Sequence, residues 1–369
     1  MSEISYSLKI GGSPAPADVI ASVKEVEVES TVDAASILRL RLAIAQTEQD
    51  DWTLLKDDLF KPLTPLSISV SIGTQNRTLL NAYVATTDVS YSATPGESTC
   101  EVIALDATML MNLEEKVTAW ANQSDSDIAN AVLQKYNLGA DVHSVPGSLK
   151  DPEGTPMQRG TDSRFLRRLA QRNGFEFYIQ PTPSGTDQAY FGPPKLSDPF
   201  QAVISLNVGL GTNVTEFKVS YHMLRPTTVV AATLDVPSKS PQPVSVSTAS
   251  TNQLGNQSVL SRVSTTPVLR PAQTGLMHSA DLNAMAQGVV DRSSWALEAE
   301  GTIGPDVGVL RPGLNLNVRG AGAAYSGTYY VVSVTHRITL DGYLQRFRAW
   351  RNAVSMSGSE GYKDTDTDA

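Results

Sequence analysis

The stretch Gln158-Arg159-Gly160-Thr161-Asp162-Ser163-Arg164-Phe165-Leu166-Arg167-Arg168-Leu169-Ala170-Gln171-Arg172-Asn173-Gly174, followed at once by Phe175-Glu176-Phe177-Tyr178-Ile179, decides how this chain is read. It spells a helix, a glycine stop and a strand. Thr161 or Asp162 suits the N-cap, because either side chain can accept a bond from the first free backbone N–H groups. Phe165, Leu166, Leu169 and Ala170 share one face at i, i+1, i+4, i+5 spacing, and Arg164, Arg167, Arg168 and Arg172 cover the other. Gly174 stands where a helix ends in the left-handed conformation, and the arginines suit the negative end of the helix dipole. The spacing predicts a short amphipathic helix packed on a sheet. Its basic face is either a grip for phosphate or an acidic partner surface, or a solvated face whose arginine stems cover apolar surface.

Outward from this stretch, alternation at period two governs the first hundred residues. Val26 and Val28 alternate with Glu25, Glu27 and Glu29, and Leu38, Leu40, Leu42 and Ile44 alternate with Arg39, Arg41 and Ala43. An acidic outer face beside a basic one predicts two sequential antiparallel strands. Further strands are predicted over 66–72, 79–86 and 98–105, with turns at Pro62, Pro65, Gly73 and the Pro95-Gly96 pair. Between Leu113 and Ala140 the period becomes helical. Ser124-Asp125-Ser126-Asp127 has the layout of a capping box, Ile128, Ala131, Val132 and Tyr136 form a stripe, and Gly139 is expected to close the helix. A second set of strands begins at Phe175 and includes Val214 to Tyr221 and Thr228 to Leu234, with final strands over 314–318, 328–338 and 343–350.

The predicted fold class is mainly β with small helices (α+β): two antiparallel β-barrel domains joined by a short helical region. Residues 1–112 form the first barrel and 113–174 the helical connection. Residues 175–352 form the second barrel, with an aperiodic Pro/Ser/Thr/Gln-rich loop at 237–275 and a helix at 279–300 carrying Leu282, Met285, Ala286, Val289 and Ala296 on one side. Residues 353–369 form an acidic tail expected to be disordered.

Composition narrows the functional classes. A chain of 369 residues with 41% hydrophobic and 18% charged residues has room for two domains with ordinary cores. A net charge of −9 argues against a protein whose task is gripping nucleic acid. No stretch approaches the roughly 20 apolar residues needed to cross a membrane. The start, Met1-Ser2-Glu3-Ile4-Ser5, lacks the basic and apolar regions of a signal peptide, so synthesis in the cytoplasm is expected. The single cysteine, Cys100, excludes an internal disulfide and a cysteine zinc site, and its alternating surroundings predict a buried thiol.

The chemistry-bearing patterns are missing. There is no phosphate-binding Walker loop, no His-Glu-x-x-His and no nucleophile elbow. Gly320-Ala321-Gly322-Ala323-Ala324-Tyr325 puts Tyr325 where a dinucleotide fingerprint needs its third glycine, and reads as a turn between strands. His143, His222, His278 and His336 show no ligand spacing, and His336 shares a strand face with Val332, Val334 and Ile338. Asp50-Asp51 and Asp57-Asp58 suggest paired carboxylates, but adjacent acids point in different directions. No catalytic, cofactor-binding or metal residue is nominated, and no cofactor is expected.

The order Ser124-Asp125-Ser126-Asp127-Ile128-Ala129, then Gln158, then Thr161-Asp162 with Phe165-Leu166, Leu169-Ala170 and Gly174, resembles the baseplate hub family of contractile tails. This is the phage late control protein D group, related to the hub part of VgrG-like spike proteins of type VI secretion. Gly304-Pro305, Leu310-Arg311-Pro312-Gly313, Ser326 to Val332, Val334-Thr335-His336 and the ending Tyr343 to Asn352 are similar to that family's last barrel. The ordered motifs cover roughly two thirds of the chain.

The resemblance implies two barrels like the tail tube subunit, and a homotrimer with a central channel for cargo. Such a ring is a symmetry adapter between a hexameric ring of inner tube protein and a trimeric spike. Because the sequence ends soon after the second barrel, the spike would be a separate chain. Other baseplate proteins would be neighbours, without specific nucleic-acid binding or stable membrane insertion. On this reading the chain is a non-enzymatic virion component, made in the bacterial cytoplasm and built into a phage tail or contractile injection particle. Gln158, Asp162, Phe165, Leu166, Leu169, Ala170 and Gly174 would then be structural, with Asp162 as cap, and Arg164, Arg167, Arg168 and Arg172 a partner-facing basic patch. The competing expectations are a cell-wall-degrading enzyme and a carbohydrate-binding β protein of the tail tip.

Overall fold

The computed structural model describes residues 4–48, 51–55, 59–145, 155–182, 185–235, 238–271, 279–358 and 360–362. Its main sheet has 13 strands and runs through both halves of the chain. The N-terminal half supplies β1 (Ile4–Ile10), β2 (Val23–Thr31), β3 (Ile37–Ala43), β4 (Pro65–Ile72), β5 (Gln75–Ser90) and β6 (Thr99–Leu105). Ser13–Pro14 extends the edge beside β1. The C-terminal half supplies β7 (Phe200–Ser205), β8 (Val214–Tyr221), β9 (Leu297–Ile303), β10 (Asn315–Arg319), β11 (Gly327–Thr339) and β12 (Gly342–Arg351). The order across the sheet is β8-β9-β12-β11-β2-β3-β6-β5-β4-β1, and β10 branches from β11 to carry β7. The expected class, mainly antiparallel β with few short helices, is the observed one.

Alternation explains where the apolar side chains go. Val26, Val28, Leu38, Leu40, Ile68 and Val102 are fully buried in one core under the N-terminal strands. Ile204, Leu316, Tyr329, Val331 and Ala349 are fully buried in a second core under the C-terminal strands. The acidic face of β2 meets a basic neighbour on each side. Glu27 lies opposite Arg39 of β3, with Oε1 2.7 Å from the guanidinium, and Glu25 pairs with Arg337 of β11. Half-exposed pairs of this kind contribute at most about 1 kcal/mol each, so burial of the opposite face stabilises the strands and the charges specify register.

The 13-residue strand β11 joins the two cores. Gly327 to Tyr330 pair with β10, and Ser333 to Thr339 pair with β2. Its other edge runs along β12, where the register shifts between Val331 and Ser333. A bulge there re-aims the strand as it passes from one partner to the other.

Besides the short turns Ala17–Ser22 and Gly322–Tyr325, three longer described helices pack beside the sheet: α1 (Asp125–Leu133), α2 (Asp162–Arg172) and α3 (Ser279–Ser293). Ser124 caps α1 in a full capping box with Asp127. The α1 segment ends at Asn137, whose φ of 52° takes the left-handed turn, while Gly139 opens the short strand Gly139–Val142. Asn tolerates that conformation because its side chain is short and polar.

Three sequence expectations are corrected. The 237–275 segment is not an aperiodic loop over its described residues: Ser240–Val246 pairs with Thr228–Asp235, and Val268–Leu269 adds a parallel edge. Pro241 and Pro243 hid this strand, yet the buried alternation of Val244 and Val246 is what covers α3. The expected helix at 279–300 stops at Ser293. Ser293 and Ser294 turn their hydroxyls back to Val290 O and Asp291 O, and Leu297 then begins β9. The expected disorder after Asn352 fails at its start, because Ala353–Val354 is buried against Gln257–Ser258. Residues 359 and 363–369 lie outside the described residues.

Gly301 of β9 sits under the Phe347 ring, and a Cβ there would come within 2.7 Å of it. Gly301→Ala should therefore cost about 1–3 kcal/mol in urea unfolding by displacing a core ring. Gly304→Ala, where a Cβ meets nothing within 4 Å, should stay near wild type. Equal losses at the two positions would contradict the packing account.

Candidate functional site

The junction around α2 gathers a connected set of buried polar groups. Thr161 is the N-cap. Its Oγ1 accepts from Arg164 N at 3.4 Å and donates to Asn112 Oδ1 at 2.7 Å. Asp162, expected as a possible cap, is the first helical residue and does different work. Its buried carboxylate accepts from Lys116 Nζ at 2.7 Å, Tyr136 OH at 2.6 Å and Gln158 Nε2 at 2.6 Å. Gln158 in turn accepts from Trp120 Nε1 at 3.2 Å. Burial alone would raise the Asp162 carboxyl, but the bonds from Lys116, Tyr136 and Gln158 outweigh it and hold it below the usual carboxylate range. Burial and the same bond push the Tyr136 hydroxyl up to about 12.

Phe165, Leu166, Leu169 and Ala170 are all at most 2% exposed, in a core shared with α1 and the strands Glu176–Gln180 and Gln188–Gly192. Gly174 adopts φ 68°, and a Cβ on it would come 3.2 Å from Gly288 Cα. The two glycines let the end of α2 touch α3. Gly288 escaped the sequence reading because a lone glycine inside a helical run carries no sign of what it faces.

The four arginines of α2 do not form one surface. Arg172 donates through Nε and Nη2 to both oxygens of Asp125, in the first turn of α1, and Asn173 Nδ2 adds a third bond at 2.6 Å. Arg168 lies over the Phe165 ring and bonds Met157 O at 3.3 Å. Arg164 is exposed, 3.8 Å from the equally exposed Glu115. Arg167 turns inward between the sheet and α3, and its Nε and Nη2 are enclosed without a hydrogen-bond partner. The reason is positional: Arg172 meets an acid of α1, Arg167 turns toward the interior, and Arg164 and Arg168 stay exposed beside the strands Glu115–Ala119 and Met157–Thr161.

Arg167 lines a chamber of about 220 Å³ with Glu176, Arg225, Arg292, Trp295 and Trp350. Burial pushes the Glu176 carboxyl up to about 8, although a bond donated by Tyr330 OH pulls the other way. Burial also lowers the Arg167 guanidinium, with Asp106 and Asp33 opposing that trend.

The residues weighed for catalysis are scattered. His336 is 2% exposed and shares a 2.7 Å bond with Tyr343 OH, and burial pushes its pKa down to about 3. His143 lies 3.6 Å from Asp141, and His222 3.7 Å from Glu298. His278, Asp50, Asp57 and Asp58 lie outside the described residues, and Asp51 is exposed. Among the described residues no group of three or more His, Cys, Asp or Glu side chains is placed to hold a metal ion. No described helix is long and apolar enough to cross a membrane.

Solved structures share this architecture from end to end. A tail protein from Neisseria meningitidis MC58 superimposes with a TM-score of 0.66 at 12% identity, covering 95% of this chain and 97% of the other. The 43 kDa tail protein of prophage MuSo2 from Shewanella oneidensis gives 0.62 at 15% identity, covering 96% and 100%. An Escherichia coli component of the type VI secretion system, itself similar to the T4 bacteriophage tail proteins gp27 and gp5, gives 0.56 at 14% identity, covering 96% and 78%. No curated protein matches the sequence. The chain thus has the fold found in phage tail proteins and in a type VI secretion component. It belongs to the family of the Alg8 N-terminal domain, which matches residues 1–340.

Two outcomes follow from the junction. Phe165→Ala should cost about 3–5 kcal/mol in chemical unfolding, because the ring is buried and stacks with Trp120 at 6.4 Å. Glu176 sets a pH dependence. Its folded value near 8 lies above the ordinary 4.5, so the folded chain holds a proton that the unfolded chain has released. Stability from this group is full below about pH 4.5 and is lost as pH rises toward about 8. Glu176→Gln should therefore raise the melting temperature more at pH 8 than at pH 5. An equal change at both pH values would contradict a protonated Glu176.

Proposed function

We propose that this chain is a structural hub in the baseplate of a contractile tail or injection particle. The observation that carries the reading is the joining of two strand-rich cores by the one strand β11, in a fold shared end to end with tail proteins. Residues 1–112 and 175–352 are read as two modules like the tail tube subunit, with 113–174 as the tie between them. Three copies would present six such modules to a hexameric tube and a threefold face to a separate spike chain, with cargo passing along the axis. A symmetry adapter needs complementary surfaces and a fixed angle between its modules, and the shared strand supplies that angle. Sheet edges at β8 and at Ser13–Pro14 are open to pairing with neighbouring subunits.

Light scattering and electron microscopy of the chain with the tube and spike proteins encoded beside it test this. The expected result is a particle of three copies that caps the tube. A chain that stays monomeric and joins neither partner would overturn the proposal.

A further inference from the structure

The chamber beside Arg167 has no part in the reading above, and its chemistry is specific. Three arginines line it: Arg167 from α2, Arg292 from α3, whose Nη1 donates to Gln171 O, and the exposed Arg225 from the turn after β8. Two indoles wall it, Trp295 and Trp350, with ring centroids 6.2 Å apart and planes inclined by 42°. Arg225 lies 5.5 Å above the Trp350 ring. The Arg167 Nε and Nη2 atoms form the side-on fork of a guanidinium, the edge that two oxygens of one carboxylate fill; both are enclosed and unbonded, so a ligand oxygen reaches them once that side chain turns toward the chamber. The Trp350 Nε1 donor is likewise enclosed without a partner.

The acids in the wall do not cancel this charge. Asp291 is already bonded by Ser250 N at 2.7 Å, Ser250 Oγ at 2.7 Å and Gln287 Nε2 at 3.0 Å. Asp33 accepts from Thr31 Oγ1. Glu176 keeps its proton at neutral pH, because burial raises its carboxyl to about 8. The acid oxygens in the wall are thus already engaged by protein donors, and an anion is the charge that the three arginines favour. A carboxylate, with two coplanar oxygens, suits guanidinium donors beside apolar walls. The indole walls, with Phe175 and Phe177, add an apolar lining. A wider hollow of about 660 Å³ adjoins it, sharing Gly174, Phe175 and Pro194 in its lining.

We propose that this chamber is a binding site for a monocarboxylate with an aromatic or branched apolar body. The carboxylate engages Arg167 and Arg225, and the body lies against the exposed edges of Trp295 and Trp350. Both a free organic acid and the last residue of a peptide carry this chemistry.

The test is titration of the full chain with N-acetylphenylalanine, followed by tryptophan fluorescence. Saturable quenching is expected, with the corresponding amide about tenfold weaker for the loss of one charge-assisted contact. Arg225→Gln, on an exposed side chain, should weaken the acid about tenfold without lowering the melting temperature, and Arg167→Gln should do the same or more. Acetyl-Ala-Ala-Phe with a free C-terminus distinguishes the sources. Tighter binding than N-acetylphenylalanine assigns the site to a peptide end, and equal binding assigns it to a free acid. No saturable quenching by the acid, equal binding of the amide, or unchanged affinity in Arg225→Gln would each overturn the proposal. So would inorganic phosphate competing as well as the acid.

Discussion

Everything in this molecule is geared to the hydrogen bonding of one strand. A β-strand has two edges, and along β11 one of them stays with β12 from Tyr330 to Thr339. The other edge is passed from β10 to β2 near Val332. The two apolar cores are therefore attached to the same backbone and not to a linker. Any rotation of one core against the other would break ladder bonds on both sides of the bulge. Val332 is itself fully buried, in a cluster with Val32, Tyr178, Trp295 and Tyr330. The seam is thus packed as well as bonded, and its angle is set by the register shift at the bulge.

The α2 junction does for the helices what β11 does for the strands. A buried carboxylate at Asp162 is expensive to desolvate, and three donors are needed to hold it ionised. Those donors come from separate places: Lys116 in the strand before α1, Tyr136 after α1, and Gln158 in the strand before α2. The apolar faces of the helices would tolerate more than one rotation, because Leu, Ala and Phe contacts are not directional. The Asp162 bonds and the Asp125–Arg172 clamp select one arrangement. Their contribution is chiefly to uniqueness, since breaking a buried pair is costly even where forming it gains little net stability.

Local features were legible because local forces decide them. The β2–β3 pairing was readable from Glu27 opposite Arg39, the capping box from Ser124 and Asp127, and the helix stop from Gly174. What stayed hidden depends on contacts distant in sequence. Pro241 and Pro243 disguised an edge strand whose N–H groups needed no partner on that side. Gly288 gained meaning only when Gly174, far away in the chain, came to lie against it. Asp162 looked like a cap by position, yet the neighbouring Thr161 took that place, because Asp162 had three better donors within reach.

The four arginines of α2 show why a residue type and a spacing do not define a surface. Helical geometry puts Arg164, Arg167, Arg168 and Arg172 on broadly one side, and from that view they are equivalent. Tertiary contacts separate them. Arg172 meets an acid and is bonded at both oxygens, and Arg168 meets a ring and a carbonyl. Arg164 meets mostly water, where its pairing with Glu115 is screened. Arg167 meets a chamber in which burial has removed water and no protein acceptor replaces it at Nε and Nη2. A fold can carry one such desolvated cation when a ladder as extensive as that around β11 holds the surrounding walls in place. The same rigidity that fixes the angle between the two cores is what keeps that fork enclosed and unpaired.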